Sequence, residues 1–153
     1  MDLKVAYVPG AFDLFHVGHL NVLNYAKSRC HYLIAGVVSD EILEQVKGRP
    51  SVVPLAERME IVRNVGYVDM VFAETVRDEM QVWEELRFNM FFKGDDWRGT
   101  PEGRRLEESF TAVGVEVVYL PPAVHTSSTA LRTELGLIVE PIKTGSWTQG
   151  SWL

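Results

Sequence analysis

The sequence predicts a doubly wound α/β domain, with a five-stranded parallel sheet covered by helices on both faces. Three features carry that expectation. Short apolar runs alternate with segments of helical periodicity along the chain. Several runs are apolar throughout, as strands covered on both faces are. Unusual glycine-, histidine- and serine-bearing segments follow the first, fourth and fifth runs, at the carboxyl ends where such sheets bind ligands.

The elements follow in order. Leu3 to Val8 is an apolar run ended by Pro9-Gly10 and reads as the first strand. From Gly18 to Cys30, the residues Leu20, Leu23, Tyr25, Ala26 and Cys30 recur at helical spacing. Tyr32 to Val38 is the second strand, and Asp40 to Gln45 a short helix. "KGRPSVVP" reads as a loop, because glycine and prolines interrupt regular structure. Pro54 suits a first helical turn, with Leu55, Met59, Ile61, Val62 and Val65 as inner positions. "VDMVFA" from Val68 is strand three, Asp78 to Leu86 a helix, and "NMFFKG" from Asn89 strand four. Pro101 opens a helix that stops near Gly114. "VEVVYL" from Val115 is strand five, closed by Pro121-Pro122. The last helix begins within "HTSSTALR", where a serine or threonine caps it. Residues 1–139 make a single domain on this reading. The tail 140–153, rich in Gly, Ser and Thr with two tryptophans, either packs on a partner or stays loose.

Composition narrows the class. At 153 residues and 46% hydrophobic, the chain is long and apolar enough for one core. Its net charge of -6 argues against a broad nucleic-acid-binding face. A single cysteine, Cys30, excludes an internal disulfide and points to a reducing compartment. The apolar stretch in "MDLKVAYVPG" is too short for a signal peptide or a membrane span. A cytoplasmic protein with no membrane insertion is the expectation.

The strongest local signal is "GAFDLFHVGH", Gly10 to His19, which holds two of the four histidines. A helix start presents free N–H groups and the positive end of the helix dipole, which favours anions. Gly18 has no side chain and lets a phosphate approach the backbone. His16 and His19, three apart, can project to one side and donate to phosphate oxygens. Asp13 can orient a side chain or help hold a magnesium ion. Two plainer readings stand beside this one. His16 caps the turn while His19 is a solvated helix residue, or the pair ligates zinc, for which no neighbouring cysteine or further histidine completes the set.

"GAFDLFHVGH" resembles the signature of the cytidylyltransferase-like nucleotidyltransferases, and further segments support the resemblance in order. "AGVVSDE", "KGRPSVVPLAER", "VGYVDMVF", "FFKGDDWRG" and "YLPPAVHTSSTALR" resemble successive family segments, over about residues 3 to 135. "GDDW" resembles glycerol-3-phosphate cytidylyltransferases in particular, while "KGRP" and "FKGDD" are also similar to glycero-manno-heptose nucleotidyltransferases. The resemblance implies a Rossmann-like fold and transfer of CMP from CTP, or of a nucleotide from another NTP, to a phosphorylated alcohol. Glycerol 3-phosphate is the leading acceptor, and pyrophosphate leaves by direct in-line displacement.

It also implies roles. His16 and His19 contact the triphosphate and the transition state; Ala11 and Phe12 line the nucleotide through their backbone. Lys47 reaches the α-phosphate or the acceptor, Arg49 the nucleotide. Arg58 braces the pocket or binds substrate. Gly94, Asp95, Asp96 and Trp97 receive the base and ribose. His125, Thr126, Ser127, Ser128 and Thr129 receive the β- and γ-phosphates. Magnesium accompanies the triphosphate with no protein ligand assigned, and a homodimer is expected. Departures from the family pattern fall at Pro122-Ala123, where an arginine-threonine pair is usual, and near Met80 and Gly66, where a lysine and an arginine are. His125, Arg77 and Arg63 are the candidates to compensate. Alternatives in other classes are an adenylyl- or sugar-phosphate nucleotidyltransferase and a catalytically silent nucleotide sensor. A class I tRNA synthetase fragment shares the histidine motif but lacks the length and the basic face.

Overall fold

A computed structural model describes residues 2–121 and 127–136. Five strands form one parallel sheet in the order β3-β2-β1-β4-β5: β1 (Val5–Gly10), β2 (Tyr32–Val38), β3 (Met70–Glu74), β4 (Met90–Gly94) and β5 (Glu116–Leu120). The helices are α1 (Val17–Lys27), α2 (Asp40–Lys47), α3 (Leu55–Arg63), α4 (Glu79–Leu86), α5 (Pro101–Ala112) and α6 (Ser128–Glu134). The chain winds outward from β1 to β3, then returns to place β4 on the other side of β1. The strand order therefore reverses between β1 and β4.

The two faces of the sheet hold separate cores, because alternate residues along each strand point to opposite sides. Val8, Leu33, Val37 and Phe92 pack with Leu23 and Ala26 of α1 and Val62 of α3. Tyr7, Ile34 and Phe91 pack with Val82 of α4 and Leu106 and Phe110 of α5. Each such fully buried aliphatic or aromatic side chain contributes about 1.5–3 kcal/mol relative to exposure. Ala11 and Val38 form a smaller cluster with Ile42, Leu43 and Val46 of α2, which holds α2 against the turn after β1.

Strand β1 is longer than the sequence suggests. It runs through Pro9 and Gly10, which pair in register with Gly36 and Val37 of β2. On its other side β1 pairs with β4 only at Ala6–Met90 and Tyr7–Phe91. Pro9 carries no N–H to donate, and it sits where the β1–β4 ladder has stopped. The sheet thus opens at its carboxyl edge, at the point of strand reversal.

Two helix boundaries and one inner position also differ. The helix expected to reach Cys30 stops at Lys27, where the Ser28 N–H bonds back to Asn24. Helix α2 continues to Lys47, so this lysine ends a helix rather than sitting in a loop; Gly48 then turns left-handed at φ 69°. In α3, Ile61 is exposed while Arg58 takes the inner position with Val62. The tail 140–153 lies outside the described residues.

Candidate active site

The carboxyl edge between β1 and β4 gathers many of the residues singled out in the sequence. The turn after β1 carries most of them. Ala11 and Phe12 are buried, and Phe12 and Leu14 hold left-handed backbones at φ 52° and 50°. Such conformations are uncommon without glycine and cost roughly 1–3 kcal/mol each. They bracket Asp13 and turn its carboxylate into the protein.

His16 caps α1, and the two histidines lock one another. Gly18 N–H donates to His16 Nδ1 at 3.0 Å, and His16 N–H donates to His19 Nδ1 at 3.1 Å. The ring centroids lie 4.0 Å apart. Because each Nδ1 accepts, each neutral ring carries its proton on Nε2. Burial lowers both pKa values, and that of His19 falls to about 3, helped by the neighbouring His16. His19 is fully buried against Phe15 and Phe12, and its Nε2 has no hydrogen-bond partner among the described residues. A buried donor left unpaired costs roughly 1–3 kcal/mol. No acidic residue stands in the first turn of α1 to compete for its positive end.

Asp13 is 1% exposed and accepts four contacts from two distant segments. Val53 N–H donates to Oδ1 at 2.9 Å; Val52 N–H and Arg132 Nη2 donate to Oδ2 at 2.8 and 2.5 Å. Ser128 Oγ donates to its backbone carbonyl at 2.7 Å. Burial raises its pKa, but the two backbone N–H groups and Arg132 outweigh that and hold it below the ordinary carboxylate value. The carboxylate is thus committed within the protein.

Lys47 ends α2 beside this cluster. Burial, with the charges of Arg132 and Arg49, pulls its pKa down to about 8 despite the opposing charge of Asp13. Arg49 is shifted down for the same reasons. Three cationic side chains therefore surround one carboxylate, inside a chain of net charge -6. That excess of positive charge calls for an anion.

Arg58 is fully buried. Its Nε donates to Val53 O at 2.7 Å, Nη1 to Ala11 O and Val38 O at 2.7 and 2.8 Å, and Nη2 to Asp40 Oδ1 at 2.5 Å. It braces the turn after β1, the end of β2 and the loop before α3; its hydrogen-bonding groups face protein and not solvent. Arg77 is exposed in the segment between β3 and α4.

On the β4 side, Gly94 ends the strand and Asp95 to Trp97 form one 3₁₀ turn. Asp95 accepts from Arg98 Nε at 2.9 Å. The Trp97 ring lies over Lys93 Nζ at 4.1 Å. Gly103 of α5 is required here, since a Cβ would stand 2.0 Å from the Trp97 carbonyl oxygen. Ser127 caps α6 by accepting from Ala130 N–H, and Thr129 follows Ser128 in its first turn. His125 and Thr126 lie outside the described residues.

Among the described residues, no group of three or more His, Cys, Asp or Glu side chains is placed to hold a metal ion. No helix among them is long and apolar enough to cross a membrane. One residue central to the site, Arg132, escaped the sequence reading. Arg132 carries no motif of its own. Arg58 lies with Val62 on the inner face of α3, as a bracing arginine does.

Fold and site together define a nucleotidyltransferase-type α/β domain, with a histidine-capped helix facing a cationic cluster at the strand reversal. The chain belongs to the cytidylyltransferase-like family, whose model matches residues 7–134. It is 35% identical over 117 residues to the FAD synthase of Pyrococcus abyssi, covering 74% of this chain and 78% of that protein. It is 31% identical over 135 residues to the glycerol-3-phosphate cytidylyltransferase of Staphylococcus aureus, covering 87% and 96%. Among solved structures, the lipopolysaccharide core biosynthesis protein of Thermoplasma volcanium superposes with a TM-score of 0.70 at 18% identity. That superposition covers 80% of this chain and all of the other, a likeness of fold.

Proposed function

We propose that this nucleotidyltransferase transfers CMP from CTP to a phosphorylated alcohol, with glycerol 3-phosphate the leading acceptor, and releases pyrophosphate. The observation that carries the reading is the orphaned Nε2 of His19, a buried N–H held in position by the His16 backbone with no acceptor among the described residues. A phosphate oxygen seated at that N–H would satisfy it.

In this reading an oxygen of the acceptor phosphate attacks the α-phosphorus. The bond from the α-phosphorus to the α,β-bridging oxygen breaks, and pyrophosphate departs with that electron pair. His16 and His19 donate from Nε2 to oxygens whose negative charge grows in the transition state. Neutral imidazoles suit this task, since it requires donation and no net proton transfer. Lys47 and Arg49 neutralise the triphosphate, and Ser127, Ser128 and Thr129 receive its outer phosphates. Magnesium enters as the escort of the triphosphate, held by phosphates and water. Asp95, Asp96 and Trp97 receive the nucleoside.

The relation to an FAD synthase keeps a second reading in play, an adenylyl transfer from ATP to a phosphorylated acceptor. One experiment separates the two. Pyrophosphate release is measured with magnesium for each of the four NTPs against glycerol 3-phosphate, sugar phosphates and a flavin monophosphate. Release with CTP and glycerol 3-phosphate supports the main reading, and release only with ATP replaces it. Tight nucleotide binding without release from any acceptor identifies a silent sensor.

A further inference from the structure

We propose that Asp13 is a latch: a positioning residue that assembles the phosphate cradle by locking α6 and the loop before α3 onto the turn after β1. The proposal rests on the nucleotidyltransferase reading for what the cradle holds, and adds how it is put together. Three segments far apart in sequence meet at this one carboxylate. Arg132 is 119 residues away and the Val52 and Val53 amides 39 and 40. Each segment brings a group the cradle needs. The turn carries His16 and His19. The segment from α2 to α3 carries Lys47 and Arg49. Helix α6 carries Ser128 and Thr129, and Ser128 itself hydrogen-bonds the Asp13 carbonyl at 2.7 Å.

Two further observations favour a latch over a ligand to metal or substrate. Both carboxylate oxygens accept from within the protein, and the side chain is 1% exposed. The residues on either side of Asp13, Phe12 and Leu14, hold strained left-handed backbones that turn it inward. Helix α6 has little else of this kind among the described contacts. It is seven residues long, and its buried side chain is Arg132.

The sign of one effect makes the proposal testable. Asp13 is a negative charge near the seat of a polyanion. Through space alone, Asp13→Asn would tighten phosphate binding by removing repulsion. A latch predicts the reverse, because Arg132 loses its partner and α6 comes loose. Magnesium tripolyphosphate serves as the probe, since it needs no base to be recognised, with magnesium CTP and magnesium ATP beside it. Binding is measured by calorimetry at a temperature where thermal melts show each variant folded.

For Asp13→Asn the expected result is an affinity lower by about 10-fold or more, in the usual range for energetic coupling between sites. Amide hydrogen exchange should rise in residues 127–136 and 51–55, and tripolyphosphate should suppress part of that rise. The effects of Asp13→Asn and Arg132→Met should be far from additive in the double variant. The magnesium concentration for half-maximal activity should not move. Unchanged or tighter binding by Asp13→Asn overturns the latch, as does a shifted magnesium dependence, which would make Asp13 a metal ligand. If the wild-type chain binds none of the three probes, the nucleotidyltransferase reading of the site fails and the latch falls with it.

Discussion

The Tyr7 hydroxyl donates to Glu74 Oε1 at 3.1 Å, reaching from β1 to β3 across the intervening strand β2. The reach depends on Gly36, where a Cβ would stand 1.9 Å from the Tyr7 oxygen. Glu74 is buried and its second oxygen has no partner among the described residues. Burial, then the charge of Glu79, raises its pKa to about 8, against the opposing charge of Lys93. A folded-state carboxyl pKa above the unfolded value means that the native state holds a proton the unfolded chain releases. Stability from this group is therefore fully present below about pH 4, is lost as pH rises to about 8, and changes no further once both states are ionised.

Glu74→Gln should flatten that decline. Chemical denaturation at a series of pH values measures it, and the difference between wild type and variant reads Glu74 together with the neighbours coupled to it, Lys93 and Tyr7. Lys93 and Tyr7 titrate in both proteins. Burial lowers the Lys93 pKa, which gives the opposite slope at higher pH, and raises that of Tyr7. Parallel curves for wild type and Glu74→Gln between pH 4 and 8 would contradict a buried neutral carboxyl.

The histidines serve two ends that substitution can separate. As reciprocal caps they stabilise α1, and losing a cap costs about 0.5–2 kcal/mol. As Nε2 donors they serve the transition state, and losing one such donor lowers turnover by roughly 10²–10³. His16→Asn keeps a side-chain acceptor for the Gly18 N–H but not the Nε2 donor. It should melt close to wild type while turnover falls as far as in His16→Ala. Steady-state turnover and melting temperature read the two roles independently.

Lys47 should make triphosphate binding depend on pH above neutrality. Its lowered pKa of about 8 means that the ammonium is lost as pH rises through that value, and affinity for a polyanion should fall with it. Lys47→Arg keeps its charge throughout and shares every other titration with wild type. Its affinity should hold between pH 7 and 9.5, where that of wild type falls. Calorimetry with magnesium tripolyphosphate measures both, and coincident profiles would show that Lys47 does not carry the effect.

Much of the scaffold was legible because local signals agreed with the fold. The order of elements, the parallel sheet and the placement of "GAFDLFHVGH" at a helix start all follow from apolar runs, prolines and caps. What stayed hidden depended on partners distant in sequence. Nothing in "LRTE" tells that Arg132 pairs with Asp13, and nothing around Pro9 tells that β1 loses its β4 neighbour there. Ile61 looked like an inner position by hydrophobicity, yet the buried place went to Arg58. An arginine is buried only where acceptors await it, and those acceptors come from three other segments.

Arg58 supplies the sharpest stability test for that reason. Its guanidinium satisfies the carbonyls of Ala11, Val38 and Val53 and pairs with Asp40, which also accepts from Leu55 N–H at 3.2 Å. Arg58→Met keeps the aliphatic stem but removes the donor to three carbonyls, while the partly exposed Asp40 keeps Ser51 and Leu55. Removing one partner of such a network costs about 3–5 kcal/mol. Arg58→Lys should recover only part of it, because a single ammonium cannot reach acceptors spread around a planar fork. Urea denaturation of both variants gives the numbers, and tripolyphosphate binding by folded Arg58→Lys separates bracing from contact. A stability loss below about 1 kcal/mol in Arg58→Met would mean that the turn after β1 is held by the Asp13 contacts alone.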